Sequence, residues 1–361
     1  MDNKNEIVIA INPGSTTTKL GVWTREKCIL DRSFQHDDLS AGTSLMERVE
    51  HRKHYLDDII DQYCSSHSLV GVAGRGGLLK PLPGGTYQVS ESMLSELKSE
   101  LSNYHASNLG AFLADYYAQK YGVDSYIVDP VTVDEFDDLA RISGVPWIER
   151  KSRAHALNIK AVSRRAAQQI GIDYSGARFV VAHLGGGTSI AAVKGGKIVD
   201  VNDAMLGMGP YSPQRAGALP IGPLIDRCYS GDVSQDDLII ELTKQAGIAG
   251  YCGTSDVPKV VEMAEDGDEK AKLALDAMMY QNAKEIGAMA AVLKGRVDAV
   301  IVTGGLAYSE KLMKELRKYI AFIATFLIFP GEDELRALAE GVFRVLDGEE
   351  LVKLYGDSAQ K

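Results

Sequence analysis

Near its start the chain reads IVIAINPGSTTTKLGVW, residues Ile7 to Trp23. An apolar run leads into the turn residues Asn12, Pro13 and Gly14; hydroxyl side chains follow, and after Lys19 a second apolar run returns. This order predicts a β-hairpin with a tight turn. Backbone N–H groups in such a turn, together with hydroxyls and one lysine, suit the binding of a phosphate.

A second stretch, FVVAHLGGGTSIAAVKGGKIVDV at Phe179 to Val201, has the same order of parts. An apolar run ends at His183, the turn contains Gly185–Gly187, and hydroxyls follow at Thr188 and Ser189. Two hairpins of the same build predict two lobes that face one nucleotide. Each hairpin alone is also what an ordinary tight turn requires, and neither has the spacing of a P-loop or a Rossmann fingerprint.

A third glycine-rich turn lies in AVIVTGGLAYS, Ala299 to Ser309. The apolar run predicts a buried strand that breaks at Gly304 and Gly305, with a helix starting after them. Close approach of a base or a phosphate explains two glycines at this point. A plain strand-to-helix turn explains them equally well.

The composition is that of a globular protein with room for two domains. The chain has 361 residues, 45% hydrophobic and 24% charged, and its net charge of −10 argues against a nucleic-acid partner. An anionic substrate therefore needs a local cluster of cations. The candidates are Lys19, Arg75, Arg141, Arg150, Lys151, Arg153 and Arg215.

Two further patterns concern the location of the protein. The apolar stretch Ile320–Phe329 is too short to span a membrane and predicts a buried strand, so no membrane partner is expected. The cysteines, Cys28, Cys64, Cys228 and Cys252, show no CxxC spacing. They predict buried, reduced thiols in a cytoplasmic protein.

Short β-branched runs alternate with helical patterns, which predicts an α/β protein. Helices are expected at Asp268–Leu293, at about 155–170 and at about 333–346. The charged connector Ile148–Arg153 predicts a domain boundary near residue 150. We expect an N-terminal lobe of residues 1–150, a nucleotide-binding lobe of residues 151–334, and a C-terminal helical segment, 335–361, that packs back on the first lobe.

Seven segments in order carry a resemblance to a known family. The chain resembles butyrate kinases, within the acetate kinase branch of the actin, sugar kinase and Hsp70-like superfamily. The segments are INPGSTTTK (Ile11–Lys19), GRGGLLKPLPGGTY (Gly74–Tyr87), DPVTVDEFDDLARISGVPWIERKS (Asp129–Ser152), HLGGGTSIAAVKGGKIVDVNDAM (His183–Met205), GPYSPQRAGALPIGPL (Gly209–Leu224), TGGLAYS (Thr303–Ser309) and FPGEDELRALAEG (Phe329–Gly341).

The resemblance implies a duplicated actin-like (ribonuclease H-like) ATPase fold, with two lobes around a nucleotide cleft. It also implies reversible phosphoryl transfer from ATP to a short-chain carboxylate, giving an acyl phosphate and ADP, with Mg²⁺ and a homodimer or larger homo-oligomer. The residues expected by this similarity to contact the nucleotide are Asn12, Gly14, Ser15, Thr16, Lys19, His183, Gly185, Gly186, Gly187, Thr188, Asp256, Gly304 and Gly305.

The same similarity assigns catalytic, substrate and metal residues. The catalytic set is Arg75, Asp129, His155 and Arg215; the substrate set is Asn12, Arg75, His105, Asn108 and Arg215; the metal set is Asp129, Glu332 and Glu334. Two alternatives stay open. Asp129 followed by proline is also typical of a helix N-cap, and the similarity does not choose between Glu332 and Glu334.

Two departures from the wider family bear on specificity. Gly186 stands where acetate kinases carry Asn, so the phosphate site lacks one amide side chain. Arg153 and Ala154 stand where the resemblance implies larger apolar residues, so the preferred acid need not be butyrate itself. An alternative from another class is an ATP-binding regulatory or assembly protein on the same fold, which would need no acyl acceptor.

Overall fold

A computed structural model describes residues 5–37, 43–99 and 106–356 of the chain. The chain divides into two compact units, Met1–Asp134 with Asp333–Lys361, and Glu135–Glu332. The division falls after Asp134, ahead of the position near residue 150 expected from the charged connector. The cause is local, since the Glu135 carboxylate accepts a hydrogen bond from Lys160 Nζ at 2.8 Å and another from the Ile198 N–H at 3.0 Å.

The described chain contains alternating strands and helices. The strands are β1 Glu6–Pro13, β2 Thr17–Trp23, β3 Cys28–Gln35, β4 Ser68–Arg75, β5 Thr86–Gln88, β6 Ser125–Val128, β7 Arg178–Leu184, β8 Thr188–Lys194, β9 Lys197–Val201, β10 Ala299–Gly304, β11 Thr325–Pro330 and β12 Lys353–Leu354. The helices are α1 Leu45–Ser66, α2 Glu91–Leu97, α3 Asn108–Tyr121, α4 Asp138–Arg141, α5 Ala156–Ile170, α6 Ile221–Tyr229, α7 Gln235–Lys244, α8 Gly247–Cys252, α9 Val257–Glu265, α10 Glu269–Val292, α11 Glu310–Ile320 and α12 Glu334–Leu346.

The first unit is built on a seven-stranded sheet of order β12-β5-β6-β4-β1-β2-β3. The predicted first hairpin is confirmed, with Asn12 opposite Lys19 across antiparallel β1 and β2. Strand β4 runs parallel to both β1 and β6. The carboxyl ends of β1, β4 and β6 therefore meet at one edge of the sheet, where functional groups collect in α/β folds.

Helix α12 packs against the first unit's sheet, and glycines allow its close approach. A Cβ at Gly341 would lie 2.5 Å from Val128 Cγ2, and one at Gly71 would lie 2.8 Å from Val342 Cγ1. Both positions thus need glycine for steric reasons. The predicted helix at about 333–346 is confirmed.

The second unit has a five-stranded sheet of order β11-β10-β7-β8-β9. The predicted second hairpin is confirmed, with Leu184 opposite Thr188 and His183 opposite Ser189. Helix α10 buries its stripe of apolar residues in this unit's core, as its helical spacing predicts.

Two expectations about burial are wrong. The apolar stretch Ile320–Phe329 is not one buried strand: α11 ends at Ile320, and β11 begins at Thr325 as an edge strand, which leaves Ile328 41% exposed. The four cysteines form no disulfide, but Cys28 and Cys228 are exposed, since β3 is an edge strand and α6 buries no residue.

Candidate functional site

A cavity of about 370 Å³ lies in the first unit, where β1 and β4 end. Asn12 near the end of β1 and Arg75 at the end of β4 reach it because these strands are parallel neighbours, with Ile11 beside Gly74. The lining residues are Asn12, Pro13, Gly14, Ser15, Thr17, Lys19, Arg75, Ala106, Ser107 and Glu334. Of the predicted set, Asn12, Gly14, Ser15, Lys19, Arg75 and Glu334 are thus brought together, whereas Thr16 is not among the lining residues.

Glu334 connects the two strand ends. It begins α12, and its carboxylate accepts hydrogen bonds from Arg75 Nη1 and from Asn12 Nδ2. The side chains of Arg75 and Glu334 are only 10% and 13% exposed, so the ion pair lies largely out of water. A largely buried guanidinium that a carboxylate holds from one side is oriented for planar recognition of an anion.

Glycines and Asn108 shape the chain around Arg75. A Cβ at Gly74 would lie 2.0 Å from the carbonyl oxygen of Gly110 on α3, so the helix can approach the strand end only at glycine. Asn108 is fully buried, and its Oδ1 accepts a hydrogen bond from the Leu78 N–H at 2.8 Å. Asn108 therefore fixes the loop after Arg75 and is not among the residues that line the cavity. His105, its predicted neighbour in the acyl site, lies outside the described residues.

Asp129 occupies a strained turn directly after β6. Its φ is +40°, a left-handed value that is uncommon for a residue other than glycine. Its Oδ1 accepts a hydrogen bond from the Gly85 N–H at 2.7 Å, and its own N–H donates to the Gly85 carbonyl at 3.0 Å. No helix follows it directly, so the N-cap alternative is wrong. Strain of this kind persists where the surroundings enforce it, often at functional sites.

Two histidines stack in the second unit. His183 near the end of β7 and His155 just before α5 have ring centroids 3.9 Å apart and ring planes 17° apart. His155 Nδ1 lies 2.8 Å from Ser189 Oγ, and His183 Nδ1 lies 3.0 Å from Asn158 Oδ1. His183 Nε2 is 3.1 Å from Glu332 Oε1, without the alignment of a hydrogen bond. Both rings are therefore fixed at Nδ1.

Arg215 lies against the glycine-rich turn. A Cβ at Gly187 would be 2.2 Å from Arg215 Nη1, so only glycine leaves room for the guanidinium. Arg215 Nη1 donates to the Ala204 carbonyl, and the Arg215 N–H donates to Ser212 Oγ at 3.1 Å. Burial lowers the pKa of Arg215, and the nearby Asp203 carboxylate opposes that shift. Arginine starts so far above neutrality that the side chain stays charged.

A larger cavity of about 590 Å³ lies beside the same turn. It unites four of the predicted nucleotide residues, Gly185, Gly186, Asp256 and Gly305, with residues that sequence reasoning missed. The latter are Pro213, Gln214, Ser255, Val257, Pro258, Val261, Glu262, Leu306, Tyr308 and Ser309. Its walls are mostly apolar with a few polar groups, the usual build of a site for a planar base and its sugar. Among the missed residues, those in the segments GPYSPQRAGALPIGPL and TGGLAYS had a signal, whereas Ser255 and the residues of α9 had none.

Asp256 and Gly304 have structural tasks at this cavity. Asp256 is the N-cap of α9, and its carboxylate accepts from the Lys259 N–H at 3.4 Å. Gly304 has φ +89°, and a Cβ there would lie 2.3 Å from the Leu184 carbonyl oxygen. Gly304 is therefore required where β10 meets β7, and Gly305 rather than Gly304 lines the cavity.

The metal residues are divided between the units. Glu334 contacts Arg75 and Asn12 in the first unit, whereas Glu332 lies near His183 in the second. Within residues 5–37, 43–99 and 106–356, no group of three or more His, Cys, Asp or Glu side chains is arranged to hold a metal ion. A protein-enclosed metal site is thus absent from the described part of the chain.

Comparison with known proteins identifies the family. Residues 146–324 match the family described as the acetokinase family. Butyrate kinase 2 of Clostridium acetobutylicum is 46% identical over 351 residues, which cover 96% of this chain and 99% of that protein. The chain belongs to the butyrate kinase group of the acetokinase family. The resemblance drawn from the seven sequence segments is thereby confirmed.

Solved structures of an acetate kinase and a propionate kinase confirm the fold class. The acetate kinase of Porphyromonas gingivalis aligns with a TM-score of 0.78 and 21% identity, covering 94% of this chain and all of that one. A propionate kinase of Francisella tularensis subsp. tularensis aligns with a TM-score of 0.71 and 18% identity, covering 93% of this chain and 98% of that one. At these identities the likeness concerns the fold: the chain has the duplicated actin-like α/β architecture of these kinases. In the described ranges, no helix is long and apolar enough to cross a membrane.

Proposed function

We propose that this protein is an ATP-dependent kinase that reversibly phosphorylates a short-chain carboxylate, butyrate or a branched acid of similar size, to an acyl phosphate. The observation that carries the proposal is the 46% identity to butyrate kinase 2 over nearly the whole of both chains. The cavity of the first unit supports it, because Asn12, Lys19 and Arg75 supply donors for an oxyanion there.

Nucleotide binding is assigned to the second unit. The cavity of about 590 Å³ has the volume and the apolar walls for the base and sugar of ATP or ADP. The turn Gly185–Gly187 at its edge offers backbone N–H groups, and Thr188 adds a hydroxyl. These groups suit phosphate oxygens.

Magnesium is part of the proposal. Mg²⁺ in kinases keeps several waters and takes one or two carboxylates beside the nucleotide phosphates. Asp129, which is 1% exposed at a strained turn, and Glu334, which lines the first cavity, are oxygen donors of that kind. The residues therefore fit an ion held mainly by phosphate and water, which would neutralise phosphate charge when bound.

The acid itself needs no base. A short-chain carboxylic acid has a pKa near that of Glu, about 4.3, so it is ionised at neutral pH. One carboxylate oxygen attacks the γ-phosphorus, the bond from that phosphorus to the β–γ bridging oxygen breaks, and ADP leaves with the electron pair. The protein's task is to hold an anion near a polyanion and to stabilise the charge in transfer.

Named side chains divide that task. Arg75, oriented by Glu334, binds an anionic oxygen in the first cavity, and Arg215 contributes a second fixed guanidinium beside the glycine turn. In His155, Ser189 Oγ lies at Nδ1 and also accepts the His155 backbone N–H at 3.3 Å. These two contacts hold the His155 ring at Nδ1, and we assign the other ring nitrogen, Nε2, as the contact to a phosphate oxygen.

The proposal also covers assembly and location. Helix α6 buries no residue, and Ile221, Ile225 and Tyr229 are 72%, 50% and 86% exposed. Such an apolar face supports a homodimer or larger homo-oligomer. The reaction draws on ATP, which favours the cytoplasm.

A panel of acids tests the function. The purified protein is given MgATP and acetate, propionate, butyrate, isobutyrate, isovalerate or benzoate, and kcat/KM is measured from acyl hydroxamate formation. We expect a four- or five-carbon acid to be preferred, with neighbours within about 200-fold, because one methylene in a pocket is worth about 1 to 3 kcal/mol. ATP turnover that is independent of every acid would refute the kinase and favour an ATP-binding regulatory protein.

A further inference from the structure

A buried arginine behind the first glycine turn has no place in the function proposed above. Arg52 lies on α1 and is only 1% exposed, although its neighbours on that helix face are apolar side chains such as Val49 and Leu56. Burying a guanidinium is costly unless its N–H groups find partners. The hydrogen bonds of the Arg52 guanidinium should therefore explain why the side chain is buried.

Those contacts are with the turn that lines the first cavity. Arg52 Nη2 donates to the Gly14 carbonyl at 2.9 Å and to the Ser15 carbonyl at 3.3 Å. Arg52 Nη1 donates to the Arg48 carbonyl at 3.1 Å, which ties the guanidinium to its own helix. A single side chain thus connects α1 to two consecutive peptide groups of the turn.

The direction of these bonds fixes the direction of two N–H groups. In a trans peptide the C=O and N–H bonds point in opposite directions, and every peptide bond described is trans. With the Gly14 and Ser15 carbonyls turned toward Arg52, the Ser15 and Thr16 N–H groups are turned away from it. Neither N–H donates a hydrogen bond to another residue in the described part of the chain.

The rest of the turn is held as well. The Gly14 N–H donates to the Thr17 carbonyl at 2.7 Å, and the His36 N–H donates to the Thr16 carbonyl at 3.0 Å. The carbonyl oxygens of Gly14, Ser15, Thr16 and Thr17 therefore all have partners. The groups of the turn that remain for a ligand are N–H donors. They lie at the cavity that Gly14 and Ser15 line together with Lys19 and Arg75.

We propose that Arg52 is a positioning residue that sets the peptide orientation of the Gly14–Thr16 turn, so that the Ser15 N–H binds an oxyanion in the first cavity. The inference rests on the proposed function for the identity of the anion, which is a phosphoryl group of the nucleotide or the carboxylate of the acid. Arg52 touches neither; it acts through the backbone of the turn.

The test compares Arg52→Met with Lys53→Met, a matched loss of a charge one residue along the same helix. Lys53 is buried too, but it contacts Glu50 at 2.9 Å and lies 3.6 Å from the centre of the Tyr116 ring, away from the turn. Three quantities are measured for each variant: the melting temperature without ligand, the Kd of the non-hydrolysable ATP analogue AMP-PNP by calorimetry, and the KM for butyrate. Binding is measured well below the melting temperature.

We expect Arg52→Met to raise the Kd of AMP-PNP or the KM for butyrate by about tenfold. A misplaced N–H donor of the turn loses most of its charge-assisted hydrogen bond to the anion. If the Kd of AMP-PNP rises, the anion bound by the turn is a phosphoryl group; if the KM for butyrate rises, it is the carboxylate of the acid. Lys53→Met should leave both constants within about twofold of the wild type. If Arg52→Met does not fold, Arg52→Gln, which keeps one N–H donor, replaces it with the same criteria.

Native values of both constants in a folded Arg52 variant overturn the positioning role. This outcome is distinguishable from failure of the proposed function. In that failure the wild type shows no acid-dependent ADP formation, yet the AMP-PNP titration still compares Arg52→Met with the wild type.

Discussion

Gly187→Ala should displace Arg215, to which we assign a role in phosphoryl transfer, without replacing it. The added Cβ would meet Arg215 Nη1 at 2.2 Å, and ordinary contact begins at 3.4 Å, so the guanidinium must shift by about 1.2 Å. The backbone at Gly187 has no left-handed φ, and the obstructing atoms are the end of a flexible side chain. The substitution is therefore compatible with folding.

The shift should be visible mainly in catalysis. Displacing a charged group by about 1 Å costs about 100-fold in rate, or about 2.7 kcal/mol of transition-state stabilisation. The lost bond from Arg215 to the Ala204 carbonyl lowers the free energy of unfolding by at most about 3 kcal/mol. The assay is kcat/KM for butyrate with saturating MgATP, with a melting curve recorded on the same sample.

The control is Gly287→Ala, a glycine of α10 whose added Cβ meets nothing within 4 Å. It should keep native turnover and native or slightly higher stability, because alanine favours helix. A Gly187→Ala protein with native kcat/KM would show that the position of Arg215 is irrelevant, and the assignment of Arg215 to phosphoryl transfer would be withdrawn.

Three further predictions address other parts of the molecule. Arg75→Ala and Glu334→Gln should each lower kcat by about tenfold or more in steady-state assays, since both break the oriented ion pair; native kcat in both would contradict the assignment of the first cavity. Burial, aided by the charge of Arg52, lowers the pKa of His36. The unfolded chain therefore binds more protons, and the free energy of unfolding falls as pH drops below about 6.5. In melting curves at pH 7.5 and 5.5, His36→Asn should lose part of this pH dependence, and an unchanged dependence would contradict the role of His36. Gly341→Ala should destabilise by about 1 to 3 kcal/mol in urea titration, because its Cβ would overlap Val128; unchanged stability would show that the packing of α12 relaxes freely.

Much of the fold was predictable because its signals are local. The two hairpins, the strand Ala299–Thr303 and the helices α5, α10 and α12 follow from alternation, turn residues and helical spacing. The second cavity was predictable only in part: Gly185, Gly186 and Gly305 indicate a close approach of the backbone, and Asp256 was expected from the family resemblance. Ser255, Val257 and Glu262 join it through tertiary packing that no short pattern encodes.

The remaining differences are long-range. Asp129 followed by proline is consistent with a helix cap, and the partner that decides otherwise, Gly85, is 44 residues away. The role of Asn108 depends on Leu78, which is 30 residues away. The role of Arg52 depends on Gly14, which is 38 residues away, and on its neighbour Ser15. The exposure of β11 and of Cys28 on β3 likewise arises because both strands lie at the edge of a sheet, which depends on strand order. Strand order is set by pairing of distant segments, which composition does not reveal.

The central claim, that this chain transfers the γ-phosphoryl group of ATP to a carboxylate, is tested most directly by following both products in one sample. Phosphorus NMR of the purified protein with MgATP and butyrate should show butyryl phosphate and ADP appearing in equal amounts, with neither formed when the acid is left out. ADP accumulating with inorganic phosphate, at the same rate with and without butyrate, would contradict the account.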